Sequence, residues 1–198
     1  MAQLSFYSAE ANPPARADLV GLLCGPSQLV SFGGVTARLS VPMAESWRGR
    51  AVRQALAERG VDATLYAVED GLLVRTAFRR DLVGLAAVWT PDTAKAVPAG
   101  LTLAGASLRL WVLAAGGWTD GGYLLRLDDE APQTHEPLGD AVTACGLPSI
   151  HYRDHDGVAG LRISGRRRLA RLLELVGRPP CVAAESHWPA VSPVRQPV

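Results

Sequence analysis

The chain has 198 residues, 48% of them hydrophobic, and a formal net charge of +1. This composition can build a packed core and excludes global disorder, and no apolar run approaches the roughly 18 residues of a transmembrane helix. The N-terminus lacks the basic start and apolar stretch of a signal peptide, and the three cysteines are widely spaced with no CxxC pair. We therefore expect a cytoplasmic protein without a zinc site.

Arginine supplies almost all of the positive charge, because Lys95 is the only lysine. One explanation is a GC-rich genome. The other is a preference for the planar guanidinium group, which pairs with phosphates and with base edges. A net charge this close to zero does not by itself imply a polyanionic partner. Composition leaves both explanations open.

The sequence contains an internal repeat, in which residues 55–71 reappear as residues 141–157. The aligned pairs are Gly60 and Gly146, Tyr66 and Tyr152, Asp70 and Asp156, Gly71 and Gly157, Arg75 and Arg162, and, upstream, Arg38 and Arg126. The pairs keep the same order along both copies, which chance does not readily produce. We therefore predict two copies of one folding unit.

The first copy begins with an apolar helix. Its predicted elements are a helix over 17–25, a strand over 35–41, a helix over 45–60, two strands within 64–76 and a helix over 79–89. Gly60 is placed to end the second helix, and the Asp70-Gly71 pair is typical of a tight hairpin turn. Gly33 and Gly34, and Gly121 and Gly122 in the second copy, are interpreted as the exits of the first helices.

The second copy has the same order of elements, α-β-α-β-β-α. It comprises a helix over 107–117, a strand over 123–128, a helix over 135–146, two strands within 150–164 and a helix over 166–176. The resulting division is an N-terminal arm (1–16), repeat 1 (17–89), a linker (90–104), repeat 2 (105–177) and a tail (178–198). The tail is rich in proline and small residues, so we predict that it is disordered.

The first helix of each copy is apolar nearly all round, which is typical of a buried helix. Both carry small residues, among them Gly21 and Gly25 in one and the run 114–117 in the other. Glycine inside a helix costs about 1 kcal/mol, and close backbone approach between two helices would explain it. We predict a central pair of helices related by a pseudo-twofold axis. Such a pseudodimer completes its own core, so we expect a monomer.

Residues 111–127 resemble the LAGLIDADG motif and the strand after it, with matches at Leu113, Ala114, Asp120 and Gly121. The chain is more similar still to the WhiA-type regulators of sporulation and cell division. The resemblance implies an α+β fold in which the tandem repeats form a pseudo-twofold saddle with mixed or antiparallel sheets and two central helices. WhiA-type proteins usually continue into a helix-turn-helix domain. Here only residues 178–198 stand in that place, so we do not expect operator binding of that kind.

The resemblance also implies where catalysis would occur, because an active LAGLIDADG nuclease places one acid at the foot of each central helix to hold magnesium. Asp120 takes that position in repeat 2, but the equivalent residues 29–33 in repeat 1 contain no carboxylate. We therefore predict no catalytic residues, no metal and no cofactor, and a turn or helix-terminus role for Asp120. The His and Asp residues in 151–156 are likewise typical of a solvated turn.

Strand alternation places a set of arginines on one polar sheet face. They are Arg38, Arg75, Arg126, Arg153 and Arg162. In the family this face follows a duplex groove, where arginine contacts phosphates or guanine edges. The alternative is an ordinary solvated sheet face. A second set, Arg79, Arg80, Arg166 and Arg167, lies at predicted helix N-termini, where a bound anion would offset the unfavourable charge–dipole interaction.

Three functional hypotheses follow. The first is a non-catalytic double-stranded DNA-binding protein that regulates transcription or coordinates the chromosome with cell division. The second is a protein-interaction scaffold for another regulator, suggested by the missing helix-turn-helix and by Trp188 in the tail. The third, and least favoured, is a magnesium-dependent endonuclease that uses Asp120.

Overall fold

The structure is a computed structural model that describes residues 8–69 and 71–191. Repeat 1 contains α1 (Val20–Leu23), β1 (Gln28–Phe32), β2 (Thr36–Met43), α2 (Ser46–Ala57), β3 (Ala63–Val68), β4 (Gly71–Thr76) and α3 (Val83–Trp89). Repeat 2 contains α4 (Gly105–Ala115), β5 (Gly116–Thr119), β6 (Gly122–Arg126), α5 (His135–Ala144), β7 (Ile150–Arg153), β8 (Ala159–Ile163) and α6 (Arg166–Val176). Short 3₁₀ turns cover Arg16–Leu19, Arg80–Leu82, Pro132–Thr134 and Val182–His187.

Each repeat forms one four-stranded sheet, and every strand pair in both sheets is antiparallel. The strand order is β1-β2-β4-β3 in the first sheet and β5-β6-β8-β7 in the second. The two orders are equivalent, because β5, β6, β7 and β8 take the same places in the second sheet as β1, β2, β3 and β4 take in the first. The predicted α+β class and duplicated architecture are confirmed.

The predicted element order lacked one strand in each repeat, and the structure corrects it to α-β-β-α-β-β-α. The missing strands are β1 and β5, which follow the central helices directly. Gly33 and Gly34 have positive φ angles of 58° and 68° and form the β1–β2 turn, and Gly121, with φ of 80°, lies in the β5–β6 turn. These glycines therefore lie in hairpin turns and do not form the helix exits that we predicted.

The helix ends at Gly60 and Gly146 are confirmed. Their φ angles of 72° and 78° are left-handed, where glycine has no steric penalty. In both copies the next residue donates back across the last turn, from the Val61 N–H to the Leu56 carbonyl (3.0 Å) and at the equivalent position in α5 (3.3 Å). This hydrogen bond satisfies a carbonyl that the helix leaves free.

The hairpins that follow α2 and α5 differ in length. Val68 lies opposite Gly71 in the first hairpin, and Asp70, predicted to form its turn together with Gly71, lies outside the described residues. In repeat 2 the connection spans residues 154–158, where a carboxylate oxygen of Asp154 accepts the backbone N–H groups of Asp156 and Val158. Asp154, His155 and Asp156 therefore lie in a turn, as predicted, whereas His151 lies in strand β7.

The helices α1 and α4 pack against each other at very short distance. A Cβ atom at Gly21 would overlap the carbonyl oxygen of Ser107, and a Cβ at Gly25 would lie 3.1 Å from the Cβ of Ala115. Only glycine permits this approach at position 21. The predicted central helix pair is confirmed, and its apolar residues join the cores of both repeats into one cluster that includes Leu22 and Trp111.

The prediction of a disordered tail was wrong for the described part of residues 178–198. Trp188 is only 2% exposed, and its indole N–H donates to the Gly177 carbonyl at 2.8 Å. The Tyr123 hydroxyl donates to the His187 carbonyl (2.8 Å), and the Trp118 indole N–H donates to the Trp188 carbonyl (3.1 Å). A buried indole and these hydrogen bonds fix the segment, although its composition is typical of disorder. Residues 192–198 lie outside the described residues.

No helix within 8–69 or 71–191 is both long and apolar enough to cross a membrane.

The three free cysteines differ in exposure, which predicts their reactivity. Cys24 is fully buried and burial raises the pKa of its thiol, whereas Cys181 is exposed. We expect Ellman's reagent at about pH 8 to modify Cys181 rapidly and Cys24 only after unfolding, because the thiolate is the reactive form. Cys181→Ser should abolish the rapid phase. Rapid modification of Cys24 in the folded Cys181→Ser variant would contradict the packing described above.

Candidate nucleic-acid interface

Each sheet buries one face in the core, and most residues on its other face are exposed or half-buried. In β2, Ala37, Leu39 and Val41 are buried, whereas Arg38 alternates with them and is only half-buried. The strand registers place three more arginines on the solvent faces. We call Arg38, Arg75, Arg126 and Arg162 the arginine face. Among the strand residues that share this face in the described structure, none is Asp or Glu.

Three of these guanidinium groups stack on aromatic rings. Arg38 lies 4.5 Å from the ring centre of Phe78, Arg75 lies 5.7 Å from that of Tyr66, and Arg162 lies 4.4 Å from that of Tyr152. The Nε atoms of all three arginines are buried and have no hydrogen-bond partner within the described residues. Stacking restricts the rotation of each side chain, so these charges are held in fixed positions.

The twofold relation predicted for these arginines holds for only one pair. Arg75 and Arg162 are equivalent, and they lie opposite Ser40 and Leu124 respectively. Ser40 in β2 and Leu124 in β6 are therefore equivalent. Two residues further along each strand, Pro42 corresponds to Arg126. The predicted equivalence of Arg38 and Arg126 was wrong, because the two hairpins differ in register relative to the sequence alignment.

Arg153 is not part of the arginine face, which corrects another prediction. Tyr152 lies opposite Gly160, so Tyr152 shares the face of Arg162 and its neighbour Arg153 points to the other side of the sheet. There the Arg153 guanidinium donates to an Asp129 carboxylate oxygen at 3.1 Å and to the Gly157 carbonyl at 2.6 Å.

The arginines at the helix N-termini fall into two groups. Arg79 donates twice to the Asp81 carboxylate, at 2.9 and 2.7 Å, and its hydrogen bonds hold the pKa of Asp81 below its ordinary value. Its charge is therefore balanced by a residue of its own chain. Arg80 lies exposed in a 3₁₀ turn, and Arg166 and Arg167 are exposed in the first turn of α6.

The feet of the two central helices carry no carboxylate. Residues 24–26 follow α1 and residues 116–117 follow α4. Asp120 lies in the β5–β6 turn, which is one of the two roles predicted for it, and not at the foot of α4, because α4 ends at Ala115 and the chain then enters β5. Its side chain is 84% exposed and lies 3.2 Å from the His155 ring nitrogen.

Arg48 caps the end of α4. Its guanidinium donates to the carbonyls of Val112 (3.2 Å), Leu113 (2.8 Å) and Gly116 (2.6 Å), and also to the carboxylate of Glu45 at 2.6 Å. The last carbonyls of a helix lack partners within the helix and carry partial negative charge. The buried Arg48 guanidinium donates hydrogen bonds to these carbonyls and also balances their partial negative charge.

Lys95 binds the loop between α1 and β1. Its ammonium donates to the carbonyls of Gly25 (2.6 Å) and Ser27 (3.1 Å) and to the carboxylate of Asp128 (2.8 Å). Burial lowers the pKa of Lys95, and the hydrogen bond to Asp128 opposes that shift. A cation paired with a carboxylate therefore lies against the end of α4, and another lies against the loop that follows α1.

A cavity of about 290 Å³ lies beside the helix ends, lined by residues that include Gly25, Arg48, Gly116, Arg126 and His187. Within the described residues, no group of three or more His, Cys, Asp or Glu side chains is placed to hold a metal ion. The sequence does not predict these roles of Arg48 and Lys95, because the carbonyls that they bind are distant in the chain.

No protein-family model matches this sequence, and no curated protein matches it. Solved structures do match. The homing endonuclease I-WcaI bound to its DNA recognition sequence has a TM-score of 0.58 and 13% identity, over 86% of this chain and 84% of that one. The N-terminal LAGLIDADG domain of DUF199/WhiA has a TM-score of 0.58 and 10% identity, over 92% and 96%. I-DmoI in complex with DNA and Ca has a TM-score of 0.51 and 18% identity, over 85% and 94%. These likenesses show that the chain has the LAGLIDADG homing-endonuclease-like fold.

Proposed function

We propose that this protein binds double-stranded DNA through the arginine face and does not cut it, acting as a regulator of transcription or cell division similar to the WhiA-type proteins. The observation that supports binding is the arginine face itself, four arginines on two sheet faces whose described strands carry no acid. Two solved structures with bound DNA that share this fold support the same choice of partner.

The arginines differ in the contacts that they are suited to make. Arg126 is exposed and is not one of the stacked arginines, so its flexible side chain can follow a phosphate. Arg38, Arg75 and Arg162 are held by aromatic rings, and a fixed guanidinium fork matches the two acceptors of a guanine edge in the major groove. Low net charge over the whole chain does not oppose this, because the positive charge is local.

The helix ends support the non-catalytic part of the proposal. A nuclease of this fold would need carboxylates there to hold a divalent metal ion. Arg48 occupies the end of α4 and Lys95 the loop after α1, and each is paired with a carboxylate, Glu45 or Asp128. A divalent ion would have to displace a buried, hydrogen-bonded cation, which electrostatic repulsion opposes.

Charge removal on the arginine face tests binding. We expect Arg38→Gln together with Arg126→Gln to weaken binding of a short fluorescent duplex about tenfold at low salt and to reduce the salt dependence by about two ion equivalents. Arg50→Gln with Arg53→Gln makes the same charge change on exposed positions of α2 and should change affinity little. The readout is fluorescence polarisation at two salt concentrations.

The same titration, repeated with magnesium and followed by a denaturing gel, tests catalysis. Intact strands are expected, and cleaved strands would contradict the non-catalytic part of the proposal. Absence of duplex binding by the wild type at low salt would contradict the whole of it. The scaffold alternative loses one of its supports, because Trp188 is buried and not available to a partner.

A further inference from the structure

An exposed apolar cluster lies at the turn end of the first sheet. Its members, which we call the apolar tip, are Val30, Phe32, Val35 and Phe78, with exposed fractions of 45%, 69%, 63% and 42%. The two phenylalanine rings are tilted against each other with centres 5.8 Å apart. Large side chains grouped in this way on a surface usually mark an interaction site.

The apolar tip is continuous with the arginine face. Val30 lies directly opposite Arg38 in the β1–β2 ladder, and Arg38 stacks on Phe78. Arg38 and Arg75 lie on this face and its described strands carry no acid, so the surroundings of the apolar tip are cationic. The occupant should therefore be anionic and should also present flat apolar surface.

The fold does not require an apolar cluster at this place. The corresponding turn of repeat 2, between β5 and β6, carries Thr119, Asp120 and Gly121, and Asp120 is almost fully exposed. The two ends of the pseudo-twofold molecule are therefore chemically different. One end offers aromatic rings and the other offers a carboxylate.

An unpaired nucleotide combines a negative phosphate with a free base face, whereas a paired duplex hides its base faces in the stack. Aromatic side chains beside arginine are the usual platform for unpaired bases, and stacking tolerates any sequence. We propose that the apolar tip binds unpaired bases, with Phe32 as the stacking residue, so that the preferred ligand is a duplex with an unpaired segment next to it. This inference rests on the proposed DNA-binding function.

The test compares two DNAs by fluorescence polarisation, a blunt duplex and the same duplex extended by a short single-stranded thymine segment. The wild type is expected to bind the extended DNA about tenfold more tightly. Phe32→Ala should bring the ratio of the two dissociation constants close to one, and Phe32→Tyr, which keeps a ring, should retain the preference. Val88→Ala removes an exposed apolar side chain from α3 and should leave the ratio as in wild type.

The outcomes separate this inference from the proposed function. If neither DNA binds at low salt, the proposed function fails and this inference fails with it. If both DNAs bind equally, or if Phe32→Ala leaves the ratio unchanged, the DNA-binding function stands and the role of the apolar tip is overturned. That second result is also the one expected if the apolar tip docks a protein. Thermal melting of each variant confirms that the fold is intact.

Discussion

Replacing Gly21 with alanine is expected to lower the free energy of unfolding by about 3 kcal/mol, the upper part of the range for overpacked cores. The added Cβ would overlap the carbonyl oxygen of Ser107, which belongs to the backbone and cannot rotate away. The central helices would have to move apart, and that movement would loosen the shared core around Leu22 and Trp111. Urea denaturation of wild type and variant measures the difference.

Gly84 supplies a matched control, because it also lies in a helix but has open space where a Cβ would stand, with no neighbouring atom of the described residues within 4 Å. Gly84→Ala should be neutral or stabilise the protein by about 0.5–1 kcal/mol, since alanine is the better helix former. Equal effects of the two substitutions would show that the helices do not meet at Gly21, and the shared core would then need another explanation.

The features that the sequence predicts well are those that short-range chemistry determines. Two copies, two central helices and the left-handed glycines at positions 60 and 146 all depend on local spacing or on small residues inside apolar runs. The Tyr66–Arg75 and Tyr152–Arg162 pairs also appear in the repeat alignment, and the structure shows why both copies carry them. In each copy the arginine stacks on the tyrosine of the neighbouring strand.

The features that the sequence predicts poorly depend on register. Strand β1 has only Leu29 buried, so its sequence lacks the alternation that marks a half-buried strand. The wrong pairing of Arg38 with Arg126 is also an error of register. Both hairpins contain a Gly-Gly pair, so the two repeats can be aligned with a shift of a few residues and still match in composition. Arg153 was assigned to the wrong face because a shift of one residue reverses every side chain in a strand.

The roles of Arg48 and Lys95 could not be predicted from the sequence for a different reason. Arg48 and Lys95 bind carbonyls that lie 64 to 70 residues away in the chain. A linker lysine and a helix arginine carry no local signal of such a role. The folded structure shows that Arg48 binds the end of α4 and Lys95 the loop after α1. These contacts support the non-catalytic proposal more directly than the missing acid in residues 29–33.

The largest effect of a single truncation is expected at Trp188, whose replacement by alanine should cost about 3–5 kcal/mol. The side chain is 2% exposed, its indole N–H donates to Gly177, and its ring lies 5.2 Å from the Arg109 guanidinium. Loss of the ring would leave a cavity and would also remove the anchor of the C-terminal segment. The free energy of unfolding in urea is the measurement.

Val182 lies in the same segment but is 81% exposed, so Val182→Ala is the control and should change stability by less than about 0.5 kcal/mol. A destabilised Trp188→Ala variant beside an unaffected Val182→Ala variant would establish that residues after Gly177 complete the core of the second sheet. If both variants keep wild-type stability, the segment is dispensable and its composition, typical of disorder, describes it better than its contacts do. The hydroxyl of Tyr123 and the indole of Trp118 would then need partners other than the carbonyls of His187 and Trp188.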